Sequence, residues 1–188
     1  SVWLDKDNPQ TASKAIEILA PVLEAIALNH EKYSDKELVA EAILTLGAVG
    51  AFADNQVAVD TIKRLGNTLT KIIVDDSLDK NLREVSVRAL TYIAGAEHQF
   101  AAQHLAKLIL SSKADDVVLN KVEYVLTIDK LSENTMVVVK HLLIALTDSN
   151  ISSTEEGRAN LKMLAFKGIN NFYVENNRTD LMNKLVAN

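Results

Sequence analysis

The stretch that decides the fold is DKNLREVSVRALT, Asp79 to Thr91. It opens on an aspartate suited to capping a helix, places Leu82 three positions on, and continues with small and apolar residues at helical spacing. The same pattern starts at Asp35, Asp115 and Thr154, so the four starts stand 44, 36 and 39 residues apart. Recurrence at this spacing marks a helical repeat array. Each unit has an apolar face it cannot bury alone, and stacking of neighbours creates the core.

Composition agrees. The 188 residues are 48% hydrophobic and 24% charged, with two prolines and six glycines as punctuation. That length and balance suit one continuous core, and the Ala, Leu, Lys and Glu filling the long stretches favour helix. The expectation is an all-α protein. The formal net charge of −5 argues against nucleic acid or an anionic membrane as partner, because those are met with clustered Lys and Arg. Residues 1–50 carry a balance of −4 and residues 151–188 one of +1, a gradient that a solvated helix surface accounts for. With no cysteine, a disulfide framework, a thiolate nucleophile and a cysteine-ligated metal are all excluded. The compartment stays open between a reducing cytosol, slightly favoured, and a secreted bacterial fragment. No apolar run reaches the roughly 18 residues of a membrane span, and no leader pattern opens the chain. It begins at Ser1, and the reading adopted is a single repeat domain over 1–188 cut from a longer chain.

The periodicity predicts a helix from Asn8-Pro9 to about Asn29, with a kink or restart at Pro21. A second is opened by a Ser34/Glu37 capping box and carries Leu38, Ala42, Leu46 and Val49 inward to Gly50. A third is capped by Asp54 or Asn55 and buries Val57, Ile62, Leu65, Leu69, Ile72 and Ile73. The fourth starts near Asp79, with Leu82, Val85, Ala89, Leu90 and Ile93 inward. Others follow over about 97–110, 116–131 and 134–147, where Val117-Val118 and Val137-Val138-Val139 have strand-like preference. Ser152 and Ser153, each three before a glutamate, are read as a doubled capping box opening an eighth helix to Tyr173, and Thr179 caps a short last one to Val186. The total is four hairpins plus a terminal helix.

Leu82-Arg83 and Ala89-Leu90 make this stretch resemble the inner helix of a HEAT repeat, which typically reads apolar-Arg, small residues, then Ala-Leu. Arg158 falls at the position of Arg83, while Val39 and Leu119 stand there in the other two copies. The resemblance covers about residues 9–173 and shades into armadillo-type repeats. It implies a right-handed α-solenoid whose second helices line a concave binding surface, and it implies no reaction.

No catalytic constellation stands out. His30, His98, His104 and His141 lack the His-Glu-x-x-His spacing of a zinc site, and Glu97 with His104 supplies only two ligands. Asp75, Asp76, Asp79 and Glu84 lack the alternating ligands and central glycine of a calcium loop, so capping and solvation explain them. Gly47-x-x-Gly50 is a close-packing or helix-end feature, not a phosphate cradle. The sequons at Asn150 and Asn177 match chance expectation. Trp3 is read as a packing plug or domain junction, and Arg83 as a structural bond between repeats. On the helical wheel Glu84, Arg88 and Thr91 point away from the Leu82/Ala89/Ile93 stripe, with Tyr92 at its edge. Together with Tyr124, Lys162 and Lys167 they form the expected partner-binding ridge. The functional expectation is a non-catalytic module, without cofactor or metal, binding another protein or another domain of its own chain. The alternative is a helical accessory, substrate-clamping domain of a larger enzyme, such as a secreted bacterial metallopeptidase, or of a lipid carrier.

Overall fold

The structure, a computed structural model, describes residues 9–51, 59–95, 99–111, 114–127 and 135–175. Among the described residues there are α-helices and one 3₁₀ turn, His30–Lys32, and no strand. The helices are α1 (Pro9–Leu28), α2 (Lys36–Ala51), α3 (Val59–Val74), α4 (Lys80–Gly95), α5 (Gln99–Leu110), α6 (Asp116–Thr127), α7 (Thr135–Thr147) and α8 (Glu155–Glu175). The expected caps Asn8, Asp54 and Asn55, the plug Trp3, Glu97 (the expected companion of His104), His98, and the helix after Thr179 lie outside the described residues.

Asp35, Asp79, Asp115 and Thr154, where the recurring pattern starts, are the N-caps of the even-numbered helices. Asp35 Oδ1 accepts the Leu38 N–H at 3.1 Å, Asp79 Oδ1 that of Asn81 at 2.8 Å, Asp115 Oδ1 that of Val118 at 3.1 Å, and Thr154 Oγ1 that of Gly157 at 2.9 Å. Each satisfies an amide that the first turn leaves without a partner, and the three carboxylates also face the positive end of the helix dipole. The capping boxes expected at Ser34, Ser152 and Ser153 are therefore displaced: the capping side chain is Asp35 in one case and Thr154 in the other. Replacing Asp35 by alanine should cost about 1 kcal/mol, whereas Ser34→Ala should cost no more than a few tenths. Urea unfolding of the two variants checks this.

Odd-numbered helices contact one another in the order α1, α3, α5, α7, and even-numbered helices in the order α2, α4, α6, α8. Between these two rows lies a core that includes Ile43, Leu46, Leu65, Leu69, Ile73, Leu82, Leu90, Ile93, Leu105 and Ile109. Leu38, expected inside, is 47% exposed, because Val39, Ala42, Ile43 and Leu46 form the buried stripe of α2. The valine runs with strand preference are helical: Val118, Val138 and Val139 are fully or almost fully buried, so tertiary packing overrides the local propensity. α1 continues as one helix through Pro21, which cannot donate to the Glu17 carbonyl.

Two glycines set the spacing of the rows. Gly47 of α2 lies against Ala89 of α4, where an added Cβ would stand 2.6 Å from the Ala89 Cα. This is the close-packing role expected of it. Gly157, in the first turn of α8, lies against the Leu110 carbonyl at the end of α5. The Thr154 N–H donates to that same carbonyl at 2.9 Å. This junction accounts for a departure from the hairpin pattern: α5 packs on α4 and α8 more closely than on α6, its neighbour in the chain.

Candidate functional site

Helices α4, α6 and α8 adjoin in one row, and their facing flanks carry charges that meet. Glu84 of α4 reaches Lys121 of α6 at 2.9 Å and Lys80 of its own helix at 3.6 Å. Glu123 of α6 reaches Lys167 of α8 at 2.6 Å. Lys121 and Glu123 lie on opposite flanks of α6, so this one helix is stapled to both neighbours. All five side chains are at least partly exposed, and pairs of that kind contribute at most about 1 kcal/mol each.

The outward line of the row is accordingly not the charged ridge but what stands beside it. Arg88 donates from Nε to the Tyr92 hydroxyl at 2.9 Å and stacks 5.2 Å from that ring, both side chains being half-buried. Tyr124 is 41% exposed, with Lys121 Nζ 5.0 Å from its ring centre. Lys162 is exposed on α8, beside Met163 and Phe166, which are also exposed. Of the expected ridge, Arg88, Tyr92, Tyr124 and Lys162 thus lie on a reachable surface, and Glu84 and Lys167 act as interhelix staples. Thr91 is a correction. It is fully buried and donates to the Val87 carbonyl at 2.8 Å, because its flank of α4 is the one that packs on α6.

Arg83 has the structural role expected of it. It is 7% exposed, donates from Nε to the Ile73 carbonyl in the last turn of α3 at 2.8 Å, and pairs through Nη2 with Asp115, the cap of α6, at 2.5 Å. Arg158, like Arg83 four residues after its helix cap, donates to the Leu146 carbonyl in the last turn of α7 at 3.3 Å. Both arginines satisfy a helix-end carbonyl of the preceding odd-numbered helix. Burial raises the Asp115 pKa, but the bonds from Arg83 and the Val118 amide outweigh it and hold the carboxyl below its ordinary value.

The acidic cluster at 75–79 is spent locally. Asp75 accepts both the Ser77 hydroxyl and the Ser77 N–H, which hold its carboxyl below the ordinary range, and Asp79 caps α4. Among the described residues no group of three potential metal ligands is found, and no helix is long and apolar enough to cross a membrane. His104 is half-buried between α5 and α3, its Nδ1 3.5 Å from the Thr70 hydroxyl. Burial, and secondarily the Lys107 charge, lowers its pKa from the ordinary 6.5. The unfolded chain therefore binds this proton more readily. Its contribution to stability should be complete above pH 6.5 and lost as the pH falls through the lowered value. Thermal unfolding of wild type and His104→Asn between pH 7.5 and 5 should show a steeper acid-side loss in wild type.

Sequence reasoning placed Arg88, Tyr92 and Tyr124 on this row but missed Lys121 and Glu123, whose roles depend on the neighbouring helices. Comparison with protein-family models, curated proteins and solved structures finds no match for the chain.

Proposed function

We propose that this is a non-catalytic helical-repeat module, a right-handed solenoid of about four HEAT-like hairpins. It binds another protein, or another domain of its own chain, through the face lined by α2, α4, α6 and α8. The observation that carries the reading is the equivalence of the repeat units: four caps at corresponding positions, and two arginines that each take a helix-end carbonyl of the preceding helix. A scaffold of this kind displays surface, and the aromatic and cationic line Arg88, Tyr92, Tyr124 and Lys162 has the composition of an interaction surface.

The decisive variant is Tyr124→Ala with Lys162→Glu, since both side chains are exposed and neither is a staple. Cross-linking mass spectrometry in native lysate should place a specific protein on α4, α6 and α8 of the wild type and lose it in the double variant, with the melting temperature unchanged. A partner retained in full by the double variant sinks the assignment of this face.

The accessory-domain reading draws support from one observation. Ile18, Leu19 and Val22 on one face of α1 are 71%, 43% and 57% exposed, so this helix presents an apolar surface where a terminal repeat needs a polar one. A neighbouring domain seated there should protect α1 from hydrogen exchange in the natural full-length protein and not in the 188-residue chain. Equal exchange in both argues against it.

A further inference from the structure

The odd-numbered row carries a second candidate surface, independent of the face just proposed. α1 packs more on α2 than on α3, leaving an open groove of about 650 Å³ between α1 and α3. Its volume lies within the range of ligand-binding clefts, whereas the hollows between α3 and α5 and between α5 and α7 hold about 270 and 70 Å³. One wall is largely apolar, with Pro21, Ala25 and the half-exposed Leu28 of α1 and Asn29 just past the helix end. The other is a row of donors on α3: Arg64, Asn67 and Lys71, at positions i, i+3 and i+7 of one helix face.

The floor is built to hold the arginine. Glu24, 6% exposed, receives Arg64 Nε at 2.6 Å and the Thr68 hydroxyl at 3.2 Å. Fixing the guanidinium through Nε leaves its terminal nitrogens, on a side chain 52% exposed, to donate elsewhere. The side chains of Asn67 and Lys71 have no partner among the described residues. With Glu24 offset by Arg64, Lys71 leaves the groove cationic.

We infer that this groove binds an extended acidic peptide segment with carboxylates three residues apart. Arg64 and Lys71 are separated by seven helical residues, about 10 Å along the axis. A polyproline-II segment brings side chains to one face every third residue, about 9 Å apart, and leaves its backbone amides and carbonyls free. Its two carboxylates fall on Arg64 and Lys71, its central backbone on the Asn67 amide, and its intervening apolar residues on Pro21 and Leu28. A β-strand would turn the third residue to the opposite face, and a helix would have no free backbone groups for Asn67.

The test is fluorescence anisotropy at low salt with three labelled hexapeptides: Pro-Glu-Pro-Pro-Glu-Pro, its isomer with adjacent glutamates, and its counterpart with lysine for glutamate. The first should bind at least tenfold more tightly than the other two, shift the Asn67 side-chain amide resonance, and lose at least tenfold in affinity in Lys71→Glu. Lys71 is exposed, so this variant keeps the fold, and Tyr124→Ala should leave the affinity unchanged. Equal binding of the lysine peptide, an unaffected Lys71→Glu variant, or preferential occupation of the groove by a single-stranded oligonucleotide overturns the assignment.

Discussion

Gly157→Ala is expected to lower stability by about 3 kcal/mol, the upper end for an overpacked interior. In a chain of this size that corresponds to a fall in melting temperature of about 10 °C. Alanine inside a helix normally stabilises relative to glycine by roughly 0.5–1 kcal/mol, so the expected sign is the reverse of the propensity argument. The reason is what the new methyl would meet. Its nearest neighbours are backbone atoms, the Leu110 carbonyl group and the Ile109 oxygen at 2.8 Å, and backbone cannot turn aside. The Leu110 carbonyl is also held from the other side by Thr154, whose N–H donates to it at 2.9 Å. Relief requires moving the start of α8 away from the end of α5. Gly66→Ala is the internal control. There the close atom is Cδ2 of the His104 ring at 2.8 Å, a side chain that can rotate, so the variant should stay within about 1 kcal/mol of wild type. Equal effects of the two substitutions in thermal and urea unfolding would remove the α5–α8 junction as the cause.

The second large effect is expected at Arg83. Arg83→Met keeps much of the volume but removes the donor to the Ile73 carbonyl and the pairing with Asp115. Breaking a buried ion pair from one side costs about 3–5 kcal/mol; because Asp115 is 45% exposed and can regain water, the expected loss is nearer 2–3 kcal/mol. Arg158→Met at the same position along its helix should cost less than about 1 kcal/mol, its contact being longer and exposed. The pair of variants separates position along the helix from depth of burial. Acid titration gives a second readout. The folded-state pKa of Asp115 lies below its ordinary 3.8, so its stabilisation is present above that pH and is lost as the pH falls through the lowered value. Arg83→Met removes the largest of the lowering causes and should flatten the stability profile in that acid window. An unchanged profile would mean that the amide bonds at the α6 cap suffice to hold the carboxyl down.

Several of these features were legible in the chain. Asp35, Asp79, Asp115 and Thr154 are recognisable as helix starts because a cap bonds an amide two or three residues away, entirely within one segment. The same holds for Leu65, Leu69, Ile72 and Ile73, whose spacing identifies the buried face of α3 from the residues alone. Ser34, Ser152 and Ser153 misled because the capping-box pattern is short and an equally suitable acceptor stood one or two residues on. Thr91 misled for a different reason. A helical wheel separates core from solvent by one direction, but a helix with neighbours on both flanks buries a wider arc, and Thr91 lies on the flank taken by α6. The helical spacing puts Glu84 and Lys167 on this row, yet their partners Lys121 and Glu123 sit 37 and 44 residues away in the chain, and no local spacing pairs them.

The sequence by itself determined the helical class, the four helix starts and much of the apolar stripes, because caps and stripes are set by bonds and periodicities within a few residues. Only the tertiary structure decided which charges are staples and which side chains face outward, that α5 closes on α8 through Gly157, and that a groove opens between α1 and α3. Those depend on how far apart helices stand and how they are rotated, and such distances are set by contacts between residues remote in the chain, down to the single Cβ that Gly157 lacks.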